Sequence, residues 1–293
     1  MNDRTENEKT PAGLLAVDRL VVAYLAITAA LAMFGGTTGL AIAAVHVVLC
    51  IFLLRMLAKR PLPSNRWLLF LRIAYPVAMT PLLYMELGTL NQFVFPGYHD
   101  DIVQGWEQAL FGVQLSMDAS VWFDDFTLSE LMHLGYASYY LLVPASLIGA
   151  YRARGAGGLE RTSFAIAFAF FICYAIFAVF PVAGPRYFFE PIGGAIAEGR
   201  IHDMVHVILE GGSSKGTAFP SSHIAAAATA VLAAGREDRR WLWLLAIPVL
   251  FLALGTVYGR FHYGIDAVAG ALVAVVAWQV TPRLMARLGT AIS

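Results

Sequence analysis

The sequence predicts an all-α fold: a polytopic membrane bundle of about eight transmembrane helices with both termini cytoplasmic. Three observations carry that prediction. Hydrophobic residues make up 59% of the 293 and charged ones 14%, whereas soluble domains run near about 45–50% and 25%. Mean hydropathy is +0.66. Apolar runs of spanning length recur along the whole chain, and the basic residues cluster on alternate connections between them.

The runs lie at 17–35, 38–57, 67–86, 133–151, 163–183, 222–235, 241–258 and 265–282. A polar stretch from Met1 to Thr10 precedes the first, and no small-residue cleavage site follows, so it reads as a retained span. The sixth covers only about 14 residues, short for a bilayer, and is expected to be tilted or shielded by its neighbours. With the N-terminus inside, the cytoplasmic pieces hold 15 of the 20 basic residues. The outer pieces hold only Arg186, Arg200, Lys215 and Arg260, while Arg72 falls within a run. Residues 87–132 contain acidic side chains and no Lys or Arg. This is the positive-inside distribution.

The expected organisation is a tail with two additional spans (1–66), a membrane catalytic domain (67–283) and a cytoplasmic C-terminal tail (284–293). Net charge is zero, so no global field recruits nucleic acid. Cys50 and Cys173 lie inside apolar runs and read as packing residues. Two outer loops are long. The first, 87–132, places Ile102, Trp106, Leu110 and Phe111 at helical spacing, the pattern of an interfacial helix. Its acidic residues, among them Asp100, Asp101, Asp124 and Asp125, read as hydrated surface. The second, 184–221, holds Arg186, an amphipathic turn near 201–210 and a Gly-Ser linker with Lys215.

The predicted topology gathers Arg186, Ser221, Ser222, His223, Arg260, His262 and Asp266 on the outer side, near one depth. Charged and imidazole groups are costly at a membrane boundary unless partnered or at work. His262 and Asp266 are four residues apart and share a helical face, so the carboxylate can take the Nδ1 proton and leave Nε2 as a nucleophile. Asp266 as a plain helix cap is the competing reading. Pro220-Ser221-Ser222-His223 opens the sixth run, where free N–H groups and two hydroxyls can cradle phosphate and His223 can protonate a leaving oxygen. Arg186 and Arg260 offer forked phosphate contacts, each worth about 3–4 kcal/mol of barrier. Headgroup anchoring stands equally for Arg260, and Lys215 could reach the pocket from its linker. His202 and His206 are one turn apart with Asp203 and Glu210 nearby, but no third metal ligand is evident at a good spacing. They read as a solvated face. His46 reads as a packing residue.

Taken together, these pieces resemble the type 2 phosphatidic acid phosphatase and haloperoxidase superfamily, marked by an Arg motif, a PSGH-like motif and a final Arg…HxxxD motif. Phe180 to Tyr187, Val257 to Asp266 and Trp106 to Gly112 look like its inositol-phosphorylceramide-synthase-like branch, and the likeness covers about 70–283. The resemblance implies His262 as nucleophile, Asp266 as its orienter and His223 as general acid, with Arg186, Ser221 and Ser222 binding phosphate. The chain departs from the pattern at Val179 and Thr256, where the superfamily has Lys and Arg, at Tyr187 in place of Pro, and at Ser222 in place of Gly.

The expected activity is a membrane lipid-phosphate phosphatase acting on a lipid phosphate or pyrophosphate, metal-independent and without cofactor, through a phosphohistidine. The site would face the periplasm or exterior of a plasma or inner membrane. A phosphotransferase moving a phospho-headgroup onto a lipid or sugar hydroxyl uses the same parts, and a membrane transporter is the reading from another class.

Overall fold

The computed structural model describes residues 13–289 and 292. The polar N-terminal stretch with Arg4 and Lys9, counted above among the cytoplasmic pieces, lies outside them. The described residues form helices and connecting loops, with one isolated parallel bridge between Val182 and Thr217. The all-α expectation holds.

In chain order the helices are α1 (Ala16–Ala32), α2 (Gly36–Leu57), α3 (Arg66–Leu90), α4 (Asp100–Phe111), α5 (Leu115–Trp122), α6 (Phe126–Ala137), α7 (Tyr139–Val179), α8 (Pro185–Phe188), α9 (Arg200–Gly212), α10 (Ser222–Glu237), α11 (Arg239–Tyr258) and α12 (Gly264–Leu288). Among the described residues, five helical stretches are long and apolar enough to cross a membrane: Ala16–Leu57, Arg66–Leu90, Tyr139–Val179, Arg239–Tyr258 and Gly264–Leu288. Two of them are bent. A 3₁₀ turn at Met33–Gly35 joins α1 to α2. Non-helical backbone at Arg154 and Gly155 breaks α7 into two arms, with Gly155 at φ +58°. That break falls between the fourth and fifth runs read from the sequence.

The short sixth run becomes α10, and its composition explains how a helix too short to face lipid is accommodated. Ala225, Ala226, Ala227, Ala230, Ala233 and Ala234 are all buried, and α10 packs against α7, α11 and α12. Alanine at six of the ten buried positions lets those helices approach closely, so α10 is shielded by protein on most sides. The main core joins α1, α3 and the second arm of α7 through residues such as Tyr24, Leu87, Phe171 and Tyr174. The Tyr24 and Phe171 rings stack at 4.1 Å.

Both ionisable residues read at depth are partnered. His46 is buried between Thr28 Oγ1 at 2.9 Å and Glu86 Oε2 at 3.0 Å, and Arg72 makes a two-armed ion pair with Asp18. Cys50 and Cys173 are free thiols.

The acidic first loop corrects an expectation. A helix forms here as α4, with Ile102, Trp106 and Leu110 exposed, but Asp100 and Glu107 are buried at 1% and 0% exposure. They are not hydrated surface. They accept hydrogen bonds from the two loops that carry the candidate site.

Candidate active site

Three chain segments meet at one end of the bundle: the loop after α7, the N-terminus of α10, and the turn from α11 into α12. Each is held by a specific contact. Asp100 accepts from the backbone N–H groups of Ala183 and Gly184, at 2.8 and 2.7 Å, and from the Tyr263 hydroxyl at 3.0 Å. Gly184 sits at φ +97°, a conformation L side chains seldom adopt, and a Cβ there would also meet Ala218 at 2.9 Å. Glu107 accepts from the N–H groups of Ile265 at 3.1 Å and Ser116 at 3.3 Å, which seats an anion at the N-terminus of α12. Burial raises the Glu107 carboxyl above the usual carboxylate range, against the opposing pull of those backbone N–H groups. Thus α4 fastens both the Arg186 loop and the α12 N-terminus.

The α10 and α12 termini are joined directly. The Ser221 N–H donates to the Asp266 carbonyl at 3.0 Å. Gly270, one turn on, has no side chain because a Cβ would fall 2.5 Å from the Ser221 carbonyl. Ser221 is the N-cap of α10, its hydroxyl accepting from Ile224 N–H.

Within this frame His262 Nδ1 lies 3.3 Å from Asp266 Oδ2, and the same oxygen accepts from Tyr263 N–H at 2.9 Å. Asp266 therefore does both things the sequence left open: it caps α12 and faces His262. Burial pushes the His262 imidazole down to about 4, opposed by the Ala218 carbonyl. The ring is neutral near pH 7, as a nitrogen nucleophile must be. The His223 and His262 ring centroids are 5.9 Å apart. His223 Nε2 is 3.5 Å from the Tyr136 hydroxyl, and its Nδ1 is buried without a partner.

A cavity of about 40 Å³ lies between them, lined by Arg186, Ser213, Thr217, His223, Phe261 and His262 among others. Arg186 donates one hydrogen bond, to Ser213 Oγ at 3.2 Å, which leaves the rest of its fork facing the cavity. The structure brings Arg186, His223, His262 and Asp266 together. Ser221 is committed to its cap, and Ser222 opens instead on an adjoining cavity that also holds His223. Arg260 stands apart. Its Nη1 donates to the Glu190 carbonyl at 2.7 Å and its Nη2 faces Met117 O and Ser120 Oγ. It adopts φ +57°, the left-handed region, in the turn that delivers His262. Lys215 rests on the Tyr98 and Tyr187 rings at 4.7 and 5.6 Å, beside the pocket rather than lining it.

A family model, the PAP2 superfamily, matches residues 103–280. The chain belongs to the PAP2 superfamily. No curated protein and no solved structure gives a significant match. Members of the superfamily are phosphatases or related phosphotransferases and haloperoxidases, and the helical membrane architecture fits that class. The match begins after α3, so α1 and α2 lie outside the shared region.

Two positions depart from the expected PAP2 pattern. Thr256, where an Arg was expected, is fully buried, and its carbonyl accepts from both Phe261 and His262 N–H at 3.1 and 3.2 Å. It shapes the turn instead of meeting phosphate. Val179, where a Lys was expected, is 41% exposed at the end of α7. Asp100 and Glu107 were missed as site-building residues. The one signal was spacing: Asp100, Val103 and Glu107 fall on one helical face, with a buried apolar residue between two carboxylates.

Proposed function

We propose that this chain is an integral membrane phosphatase for lipid phosphates or pyrophosphates, working through a phosphohistidine on His262. The observation that supports the substrate class is a row of adjoining cavities that share lining residues. The phosphate-sized pocket shares Tyr84 and His223 with a second cavity of about 100 Å³. That cavity shares Thr80, Pro81, Tyr139, Tyr140 and Phe170 with a groove of about 340 Å³ between α3 and α7. The groove is lined almost wholly by apolar side chains, including Phe70, Val77 and Leu147. A phosphate between Arg186 and the histidines would thus continue into a hydrocarbon channel, the shape of a single-chain or branched lipid phosphate.

In the first step His262 Nε2 attacks phosphorus while the bond to the leaving oxygen breaks and His223 gives that oxygen a proton. Arg186 holds the equatorial oxygens, whose charge grows in the transition state. Water then attacks the phosphohistidine, His223 takes its proton, and phosphate leaves with His262 restored. Asp266 holds the imidazole in place throughout. No metal is needed for this step, because Arg186 and the α10 N-terminus supply the positive field. We further place the site end on the outer side, with eight crossings formed by α1, α2, α3, the two arms of α7, α10, α11 and α12. That topology follows the distribution of basic residues.

A phosphotransferase, as in the inositol-phosphorylceramide-synthase-like branch, is the second reading. A further cavity of about 200 Å³, lined by Arg186, His206, Glu210, Arg260 and Phe261, abuts the phosphate pocket on its other side. A polar acceptor held there would replace water. The test is phosphate release by the purified chain from a panel of lipid phosphates and pyrophosphates, alongside His262→Ala. Release that disappears in the variant supports the phosphatase. Headgroup transfer between labelled lipids without phosphate release favours the second reading, and neither activity in any member overturns both.

A further inference from the structure

We propose that His133, His202 and His206 form a binding site for a divalent transition metal ion, with Zn²⁺ the best match to the ligands. This site is separate from the phosphate pocket, and the inference does not depend on the proposed reaction. His202 and His206 project from one face of α9, and α6 packs against that face and supplies His133. Ring centroids lie 4.2 Å apart for His202 and His206 and 4.8 Å for His133 and His202. One nitrogen from each residue lies within 4.8 Å of the other two. Tetrahedral ligands at about 2.1 Å from zinc sit about 3.4 Å from one another, so an ion would draw the three inward by about 1 Å.

The second observation is independent of that proximity. The Nε2 atoms of His133, His202 and His206 are all buried without a hydrogen-bond partner. Leaving one such atom unsatisfied costs about 1–3 kcal/mol, and three side by side is not a packing solution. On two of the three rings the opposite nitrogen is engaged. His133 Nδ1 donates to the Ser129 carbonyl at 2.7 Å, and His202 Nδ1 faces Asp203 Oδ1 at 3.3 Å. A backbone carbonyl or carboxylate on Nδ1 fixes the tautomer that presents the Nε2 lone pair. Glu130 is not a ligand: its two oxygens accept the Ile201 and His202 N–H groups and hold the start of α9 in place.

Three imidazoles and no carboxylate select zinc, copper, nickel or cobalt over magnesium or calcium. The position gives the ion a task. The Phe261 ring lies 5.8 Å from His133 and 5.7 Å from His206, and Phe261 is bonded to His262. Leu209 of α9, with Ser213 and Ser214 just past its end, lines the phosphate pocket. A metal here would staple α9 to α6 and brace the wall of that pocket from behind.

The test is elemental analysis of tag-free protein equilibrated with ZnCl₂ and dialysed, for wild type, His133→Ala, His206→Ala and His262→Ala. Wild type and His262→Ala should hold about one zinc per chain, and the other two variants at least about tenfold less. The wild-type protein loaded with Co²⁺ should also show the strong visible absorption of a low-symmetry, four-coordinate nitrogen site, a readout that needs no variant to fold. Wild type without zinc or a cobalt spectrum overturns the proposal. So does zinc retained equally in His133→Ala and His206→Ala. Neither result involves substrate, so the phosphatase reading stands or falls separately.

Discussion

Two buried sets of ionisable groups, the Asp18 ion pair and the histidines with Asp266, use their hydrogen-bonding capacity differently. Asp18 is fully buried and every lone pair in reach is used. It accepts from Arg72 Nη1 and Nη2 at 2.8 and 2.6 Å, from the Tyr75 hydroxyl at 2.9 Å and from Leu15 N–H at 2.7 Å. In the second set, Asp266 Oδ1, His223 Nδ1 and three histidine Nε2 atoms are buried with no partner. The first pattern is what stability asks of a buried charge. The second is costly unless something outside the chain completes it. The contrast separates a structural ion pair from groups whose hydrogen-bonding capacity is left unused within the chain.

The contrast is broken most severely at His262. Changing it to Ala should lower turnover by at least about a thousandfold while leaving the thermal midpoint within a few degrees, as read by phosphate release and by calorimetry in detergent. Asp18→Ala should behave in reverse. It strands Arg72 and should cost about 3–5 kcal/mol of stability, with turnover per folded molecule unchanged. If Asp18→Ala left stability intact, or His262→Ala collapsed it, the distinction would fail.

The two arginines sharpen the comparison within the site end. Arg186→Ala should lower kcat by about 10²–10³. Arg260→Ala should lower it by about tenfold or less, because that guanidinium holds loop carbonyls and does not line the phosphate cavity. Equal effects would put Arg260 in the reaction after all. Glu107→Gln tests whether α4 positions the α12 turn. One of its carboxylate oxygens becomes an N–H donor, so the Ile265 or Ser116 contact is lost, and kcat should drop by about 10- to 100-fold with KM little changed.

The smallest effect concerns pH. Since burial brings His262 down to about 4, the nucleophile loses its lone pair only as pH falls through about 4, not through the usual range near 6.5. The acid limb of kcat/KM should therefore lie about two units below that of a free imidazole, with rates falling tenfold per unit beneath it. An acid limb near 6.5 would mean that His262 is solvated in the working enzyme.

Much of this was legible in the sequence. Apolar runs and the placement of arginines marked the helices, and the short sixth run was rightly read as shielded. His262 and Asp266 do pair, but not on a helical face as their spacing suggested: α12 starts at Gly264 behind its Tyr263 N-cap, and the turn into the helix brings His262 to Asp266. What the sequence hid were contacts across long separations. His133 lies 69 residues before His202, in a stretch with no local sign of ligation, so the pair on α9 looked incomplete. Asp100 reaches Gly184 across 84 residues, and its place among other acids made it look solvated. For Arg260, proximity in sequence to His262 suggested a shared target, but its guanidinium meets the Glu190 and Met117 carbonyls and Ser120 Oγ.

The groove between α3 and α7 opens along the flank of the bundle, where Leu71 and Tyr140 are exposed. A substrate that uses it does not arrive from solution. It diffuses sideways within a leaflet, so the quantity that sets the rate is its mole fraction among neighbouring lipids. Diluting the membrane with inert lipid would slow such an enzyme as surely as removing substrate, even at constant bulk molarity.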